Sequence, residues 1–278
     1  MIYLLLAILS SAMVSVVMRL SEGRVNAKTG MLAVNYVICL LVAGSYMGFN
    51  KAFLGGDGFS FAVSTGFVNG FLYLAGFVLL QMNVKKNGVV LSSIFMRLGL
   101  LVPMVISMGL FGEMPTMLQA IGFVIAVSAI ILINFESSKS SVSFKMGLIL
   151  LLLSGGCADG MSKIYEEMGN SAFEEQFLFY TFFSALILCL ALMVYKKEHP
   201  QGKDILFGAL IGIPNYFSAR FLLKSLDAVP AVIAYPTYSV ATIAVVTLAG
   251  RLMFKEYLSK KQQIAVLMIM TALALLNI

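Results

Sequence analysis

Three charged side chains interrupt otherwise apolar sequence, and they are where chemistry is to be sought. Arg97 lies between LSSIFM and LGLLVP, Asp159 between LSGGCA and GMSKIY, and Arg220 between NYFSA and FLLKS. A charge held at membrane depth costs at least about 2.5–3.5 kcal/mol even on lenient insertion scales, so it must face protein, water or a ligand. Arginine presents a fork of N–H donors that suits a carboxylate or phosphate. Arg97 is therefore a candidate anion contact, and the competing reading is a clamp between helices. Asp159 and Arg220 each fall about five residues before the end of an apolar segment, at similar depth. They are candidates to pair directly, as a strut or as part of a binding site. Lys163 and Lys224 follow each by four residues, on the same helical faces and nearer the interface, where long side chains can snorkel. Two arginines against one aspartate leave an excess positive charge, which favours an anionic substrate group. Asp159 could instead take an amine or carry a coupling proton; no other cofactor is called for.

Polar and aromatic residues complete the candidate lining. Asn69 and Tyr73 sit in one apolar segment, Asn215 and Tyr216 in the segment of Arg220, and Tyr235 and Tyr238 in the next. Tyrosine can hold a ligand through ring and hydroxyl, or simply pack between helices. Pro236 cannot donate to the carbonyl four residues back, which marks a weak point in its helix. No catalytic or metal-binding constellation emerges. The single histidine, His199, lies in a polar loop, and Cys39, Cys157 and Cys189 all sit in apolar runs as small hydrophobes.

These residues need a membrane to position them. Of 278 residues, 60% are hydrophobic and 12% charged, with mean hydropathy +0.96. Soluble domains average roughly 45–50% apolar and about 25% charged. The composition predicts an all-α integral membrane protein, since helices satisfy their own backbone in hydrocarbon. A bilayer core needs about 20 helical residues. Ten transmembrane segments fit: 2–20, 30–48, 60–82, 88–111, 117–135, 145–164, 175–195, 205–225, 228–249 and 261–277. The apolar N-terminus lacks a basic lead and reads as the first span. S/T-x-x-Q capping boxes at Thr116/Gln119 and Ser259/Gln262 mark two helix starts.

The chain also matches itself at a shift of 142–144 residues. FGEMPTMLQAIGFVIAVSAIILIN (111–134) aligns with FKEYLSKKQQIAVLMIMTALALLN (254–277), and the pair Gly66/Gly70 aligns with Gly208/Gly212. Ser10, Arg19, Glu22 and Tyr36 align with Ser154, Lys163, Glu166 and Tyr180. The two halves, residues 1–137 and 144–278, then form one integrated membrane domain. Five helices per half is an odd number, so the second half enters from the opposite face. Two inverted five-helix repeats are a common construction for secondary transporters. The GxxxG pairs read as close-packing seams. Arg97, Asp159 and Arg220 align with Ser239 or Val240, Ser15 and Val78. Charges that occur in one copy only point to substrate or ion handling more than to shared scaffold.

The stretch from Ser225 to Asn277, and more weakly that from Asn83 to Asn134, resembles the EamA-like branch of the drug/metabolite transporter superfamily. The resemblance rests on a helix, a short turn ending in Glu, a Ser/Thr-x-x-Gln start and a last apolar helix, once per half. Gly112-Glu113 keeps the turn fully, and Lys255-Glu256 keeps only the acid. Membership implies ten helices, a cavity between the halves, alternating access, and substrates ranging over amino acids, sugars, nucleotide derivatives, cations and lipid-linked sugars.

The function these features predict is a secondary transporter for a small metabolite, amino-acid-like, nucleotide-like or otherwise anionic or zwitterionic. A lipid or lipid-linked-sugar flippase is the main alternative. A membrane-embedded enzyme is disfavoured by the one histidine and the one clearly intramembrane carboxylate. The expected partners are the small-molecule substrate and the bilayer of the cell membrane, not nucleic acid; a monomer suffices, and the oligomeric state is open. Basic residues cluster after odd-numbered segments (Arg19, Arg24, Lys28, Lys85, Lys86, Lys196, Lys197, Lys203, Arg251, Lys255, Lys260 and Lys261 among them), whereas only Lys51, Lys163 and Lys224 follow even-numbered ones. The positive-inside rule then puts both termini on the extracytoplasmic side. Single cysteines at positions 51 and 197 test this: position 51 should label from outside intact cells, and labelling at 197 alone would reverse the orientation.

Overall fold

The computed structural model describes residues 2–53, 55–99, 101–110, 112, 116–134, 145–226, 231–255 and 260–275, and all regular structure among them is helical. The α-helices are α1 (Ile2–Ser21), α2 (Lys28–Met47), α3 (Phe59–Leu98), α4 (Leu101–Leu110), α5 (Met117–Asn134), α6 (Lys145–Met168), α7 (Glu174–Tyr195), α8 (Gly202–Leu226), α9 (Ala231–Phe254) and α10 (Lys260–Leu275). Short 3-10 turns, Phe49–Phe53 and Ser171–Phe173, precede α3 and α7. Among the described residues, seven stretches are long and apolar enough to cross a bilayer: Ile2–Ser21, Lys28–Met47, Phe59–Pro103, Lys145–Met168, Ser171–Tyr195, Gly202–Ser225 and Thr237–Phe254. Met117–Ala126 and Gln263–Ala272 are shorter apolar helices. Large side chains such as Leu5, Leu9, Val124, Leu252 and Leu267 stay exposed, as lipid-facing residues should.

Departures from the sequence expectation are greatest around α3 and α4: the 88–111 segment is shared between α3, which ends at Leu98, and α4, which starts at Leu101. The segments 60–82 and 88–111 are not separated by a loop, because the helix continues through Asn87. Asn83 sustains it by donating to the Leu79 carbonyl (2.8 Å) and, across to α6, to the Gly147 carbonyl (2.9 Å). Asn87 in turn donates to Asn83 Oδ1 (3.0 Å). The break comes at Gly88, with φ 82° and ψ 168°. That region is essentially closed to residues with a Cβ. The chain re-aims there, and the following helical stretch carries Arg97. By contrast, α9 runs as one helix through position 236. Helix α8 likewise runs on with Pro214 in its interior.

Glycines set the helix contacts. A Cβ on Gly66 would lie 2.9 Å from the Phe177 carbonyl, and one on Gly70 2.4 Å from that of Thr181, so α3 lies backbone-to-backbone on α7. Gly208 and Gly212 meet the carbonyls of Met31 and Asn35 at 2.6 and 2.7 Å, bringing α8 equally close to α2. The GxxxG pairs are thus packing seams, as read from the sequence. A third approach joins Gly99 and Gly156, where a Cβ on Gly156 would lie 2.4 Å from the Gly99 carbonyl. It sits two residues from Arg97 and three from Asp159, and so fixes how far apart their helices stand.

Helix ends are satisfied by side chains from distant sequence. Glu198 accepts from the backbone N–H of Thr29 (2.7 Å) and Gly30 (3.1 Å), two of the orphan donors that begin α2. Buried Asp204 accepts from the N–H of Asn26 (3.0 Å) and Gln201 (2.8 Å). The Thr116/Gln119 capping box forms reciprocally, at 2.9 and 3.2 Å. Its counterpart at Ser259/Gln262 lies outside the described residues, as do Glu113 and Glu256.

The Gly99–Gly156 contact should tolerate no side chain. Gly156→Leu is expected to lower the melting temperature in detergent by several degrees. Gly109→Ala, where nothing lies within 4 Å of the new methyl, should be neutral or slightly stabilising, since alanine favours a helix by up to about 1 kcal/mol. Equal effects would remove the contact from its proposed role.

Candidate functional site

The re-aimed stretch after Gly88 brings Arg97 to a central cavity, which α1, α3, α6, α8 and α9 enclose. The cavity offers about 100 Å³ to the centre of a water-sized sphere, room for several waters or a small ligand. Arg97, Asp159, Tyr73, Asn215 and Tyr238 all line it, so five of the nine sequence candidates converge here.

Arg97 is held from two sides. One Nη donates to Ser11 Oγ of α1. Its guanidinium carbon stands 4.3 Å from the centroid of the Tyr238 ring, a cation–π platform. Tyr238 is itself anchored, its hydroxyl lying 2.7 Å from Ser218 Oγ. Arginine has five N–H donors, so this arrangement leaves several for a ligand. Across the cavity Asp159 feels the Arg97 charge. Asn215 spends its amide nitrogen on Asn35 Oδ1 (3.2 Å) and Cys39 Sγ (3.6 Å), leaving its carbonyl oxygen as the remaining acceptor. Leu72, Phe77, Met96 and Leu222 supply apolar wall.

Arg220 stands elsewhere. It does not pair with Asp159, and it is not among the residues lining the cavity. On α8 the cavity-facing positions are Asn215, Ser218, Ala219 and Leu222, whereas Tyr216 and Arg220 face another way. Arg220 Nη1 forms an ion pair with Glu175 at the start of α7 and donates to the Tyr216 hydroxyl (2.8 Å). Its guanidinium carbon lies 4.3 Å from the Tyr46 ring centroid near the end of α2. Equal depth misled the sequence reading, because depth says nothing about which face of the helix a residue occupies. Lys163 pairs with Glu167 and, at 4.0 Å, Glu166. Lys224 Nζ lies 5.5 Å from the Tyr3 ring centroid. Asn69 is buried, with its Oδ1 unpartnered, and is not among the residues lining the cavity. Tyr235 falls in α9, but its side chain lies outside the described residues.

The sequence reading missed Ser11, Ser15 and Ser218 as lining residues. Ser218 was recoverable, since it follows Asn215 by three and shares its face. Ser15 aligns with Asp159 at the 144-residue shift, which is the signal that could have found it. Ser11 gave no signal of its own among several serines in α1.

Residues 145–278 match the EamA-like transporter family, so the C-terminal half belongs to that family and the chain is a multi-pass membrane transporter. An uncharacterized protein of Haemophilus influenzae is 24% identical over 97% of this chain and 95% of its own length. A solved crystal structure superposes with a TM-score of 0.63 at 14% identity, covering 98% of this chain and 97% of the other, a likeness of fold over the full length.

The Arg220–Glu175 pair is partly exposed, so its coupling should be modest, about 0.5–1 kcal/mol. Arg220→Gln and Glu175→Gln are each expected to lower the melting temperature by a few degrees, and the double variant by little more than either, the sign of one shared interaction. Strict additivity of the two losses would show that the pair carries no coupling.

Proposed function

We propose that this protein is a secondary transporter that carries a small charged metabolite across the cell membrane by alternating access, with the Arg97/Asp159 cavity as its substrate site. Ten transmembrane helices in two inverted five-helix repeats, spanning 1–137 and 144–278, form its frame. The observation that carries this reading is the composition of the cavity wall. Ser11, Val14 and Ser15 of α1 recur 144 positions later as Gly155, Ala158 and Asp159 of α6. Tyr73, Gly76 and Phe77 of α3 recur 142 positions later as Asn215, Ser218 and Ala219 of α8, and Met96 recurs as Tyr238. A cavity lined by equivalent positions from both halves is what an inverted repeat places on its pseudo-two-fold axis. The glycine seams support the same relation, with α3 on α7 answering α8 on α2. The Lys/Arg bias supports cytoplasmic loops after the odd helices.

Within this frame Arg97 is the anion contact and Asp159 the cation contact. Asp159 is also the carboxylate available to carry a coupling proton. The test is solute uptake by proteoliposomes containing wild-type protein, Arg97→Gln or Asp159→Asn, each checked for folding and insertion. Both variants should lose at least ten-fold in transport. Wild-type rates from well-folded Arg97→Gln across all substrate concentrations would dismiss the site. If uptake by wild-type protein depends on pH and that dependence persists in Asp159→Asn, Asp159 is not the coupling acid.

A further inference from the structure

Resting on that transport reading, we infer that the substrate is a small zwitterion, net neutral, whose carboxylate meets Arg97 and whose ammonium meets Asp159. The first ground is the charge balance of the cavity. The sequence suggested two arginines against one aspartate, and hence an anion. With Arg220 committed to Glu175 outside the cavity, the described lining holds one cation and one anion, Arg97 and Asp159. The excess positive charge that argued for an anionic substrate is gone.

The second ground is that these two charges do not satisfy each other. They share the cavity and interact through their fields, yet form no ion pair. Arg97 spends one donor on Ser11 and its ring-facing surface on Tyr238. Asp159, a residue of the cavity wall, makes no hydrogen bond among the described residues. Two opposite, unpaired charges facing one small space form a complementary socket for a molecule that carries both signs.

The third ground is what occlusion demands. When the cavity closes around its cargo, water is excluded and an unbalanced charge becomes expensive. A monoanion would neutralise Arg97 and strand Asp159, and a monocation would do the reverse. A zwitterion satisfies both and adds no net charge. It also bridges the stretch after Gly88 to α6, whose spacing the Gly99–Gly156 contact fixes. The amine and carboxylate must be close to each other, as in an α- or short ω-amino acid, because the cavity is small.

The experiment is uptake by proteoliposomes of full-length protein from an equimolar mixture read by mass spectrometry. The mixture holds the twenty standard amino acids, 4-aminobutanoate, and, for valine, the singly charged analogues isovalerate and isobutylamine. Purified protein is tested with the same probes by thermal shift, since a specific binder raises apparent stability. Wild-type protein should accumulate and be stabilised by one or more zwitterions at least ten-fold in preference to isovalerate and isobutylamine. Asp159→Asn should cut that preference over isovalerate below three-fold, and Arg97→Gln should cut it over isobutylamine. Accumulation of either singly charged analogue with exclusion of every zwitterion would overturn the inference, as would an unchanged preference in Asp159→Asn. Transport of a small-molecule cell extract distinguishes the two levels. Accumulation from the extract of uncharged or singly charged solutes alone defeats the zwitterion and leaves the transporter standing. No accumulation of any solute defeats the transport reading and this inference with it.

Discussion

Close approach of helix backbones is the constraint on which the rest of this structure depends. In hydrocarbon no hydrophobic force drives helices together, and association relies on packing and interhelical hydrogen bonds. Gly66, Gly70, Gly208, Gly212, Gly99 and Gly156 remove the side chains that would hold helices apart, and backbone atoms of the facing helix occupy the space. Ser184 uses the same proximity, donating across the seam to the Phe67 carbonyl at 2.9 Å. Cys39 does likewise to the Gly212 carbonyl at 3.4 Å. These contacts surround a centre that is not close-packed, and the contrast makes the cavity a designed absence of packing between tightly seamed walls.

Within those walls, position and chemistry follow different rules. Residues 142 or 144 positions apart in the sequence line the cavity, but their types differ. Ser15 lies 144 positions before Asp159, and Ser239 and Val240 lie 142 and 143 positions after Arg97. On the proposed inverted repeat, paired scaffold positions carry unmatched charges. That combination fits a carrier, which needs two related end states and a single defined pose for its cargo.

Much of the fold was legible because lipid imposes simple rules. Apolar runs of about 20 residues and capping residues at helix starts located most helix boundaries within a few residues. Glycine spacing identified the seams. The continuation of α3 to Asn87 escaped notice because polar VKKNG reads as a loop, whereas in three dimensions Asn83 finds a carbonyl on α6. For the site, hydrophobic context sufficed to single out Arg97 and Asp159, since a lone charge among apolar residues is conspicuous. Context failed for Arg220 because its partner, Glu175, sits in a polar helix start forty-five positions earlier, and only the helical phase of α8 reveals which way it turns. Serines of the lining were hidden by their ordinariness, since a serine in a membrane helix can satisfy its own hydroxyl on the preceding turn, as Ser162 does on Ala158.

The crossed seams also bear on how such a chain comes into being. The glycine face of α3 is filled by residues 177–185, and the facing surface of α2 by residues around Gly208 and Gly212. Neither surface has its partner while only the first five apolar segments have left the ribosome. The early half must therefore wait in the bilayer with its seams open to lipid, and its final tertiary structure can be reached only after α7 and α8 are inserted. Synthesis order and assembly order are thus uncoupled, and the core of the N-terminal half is completed by sequence translated more than a hundred residues later.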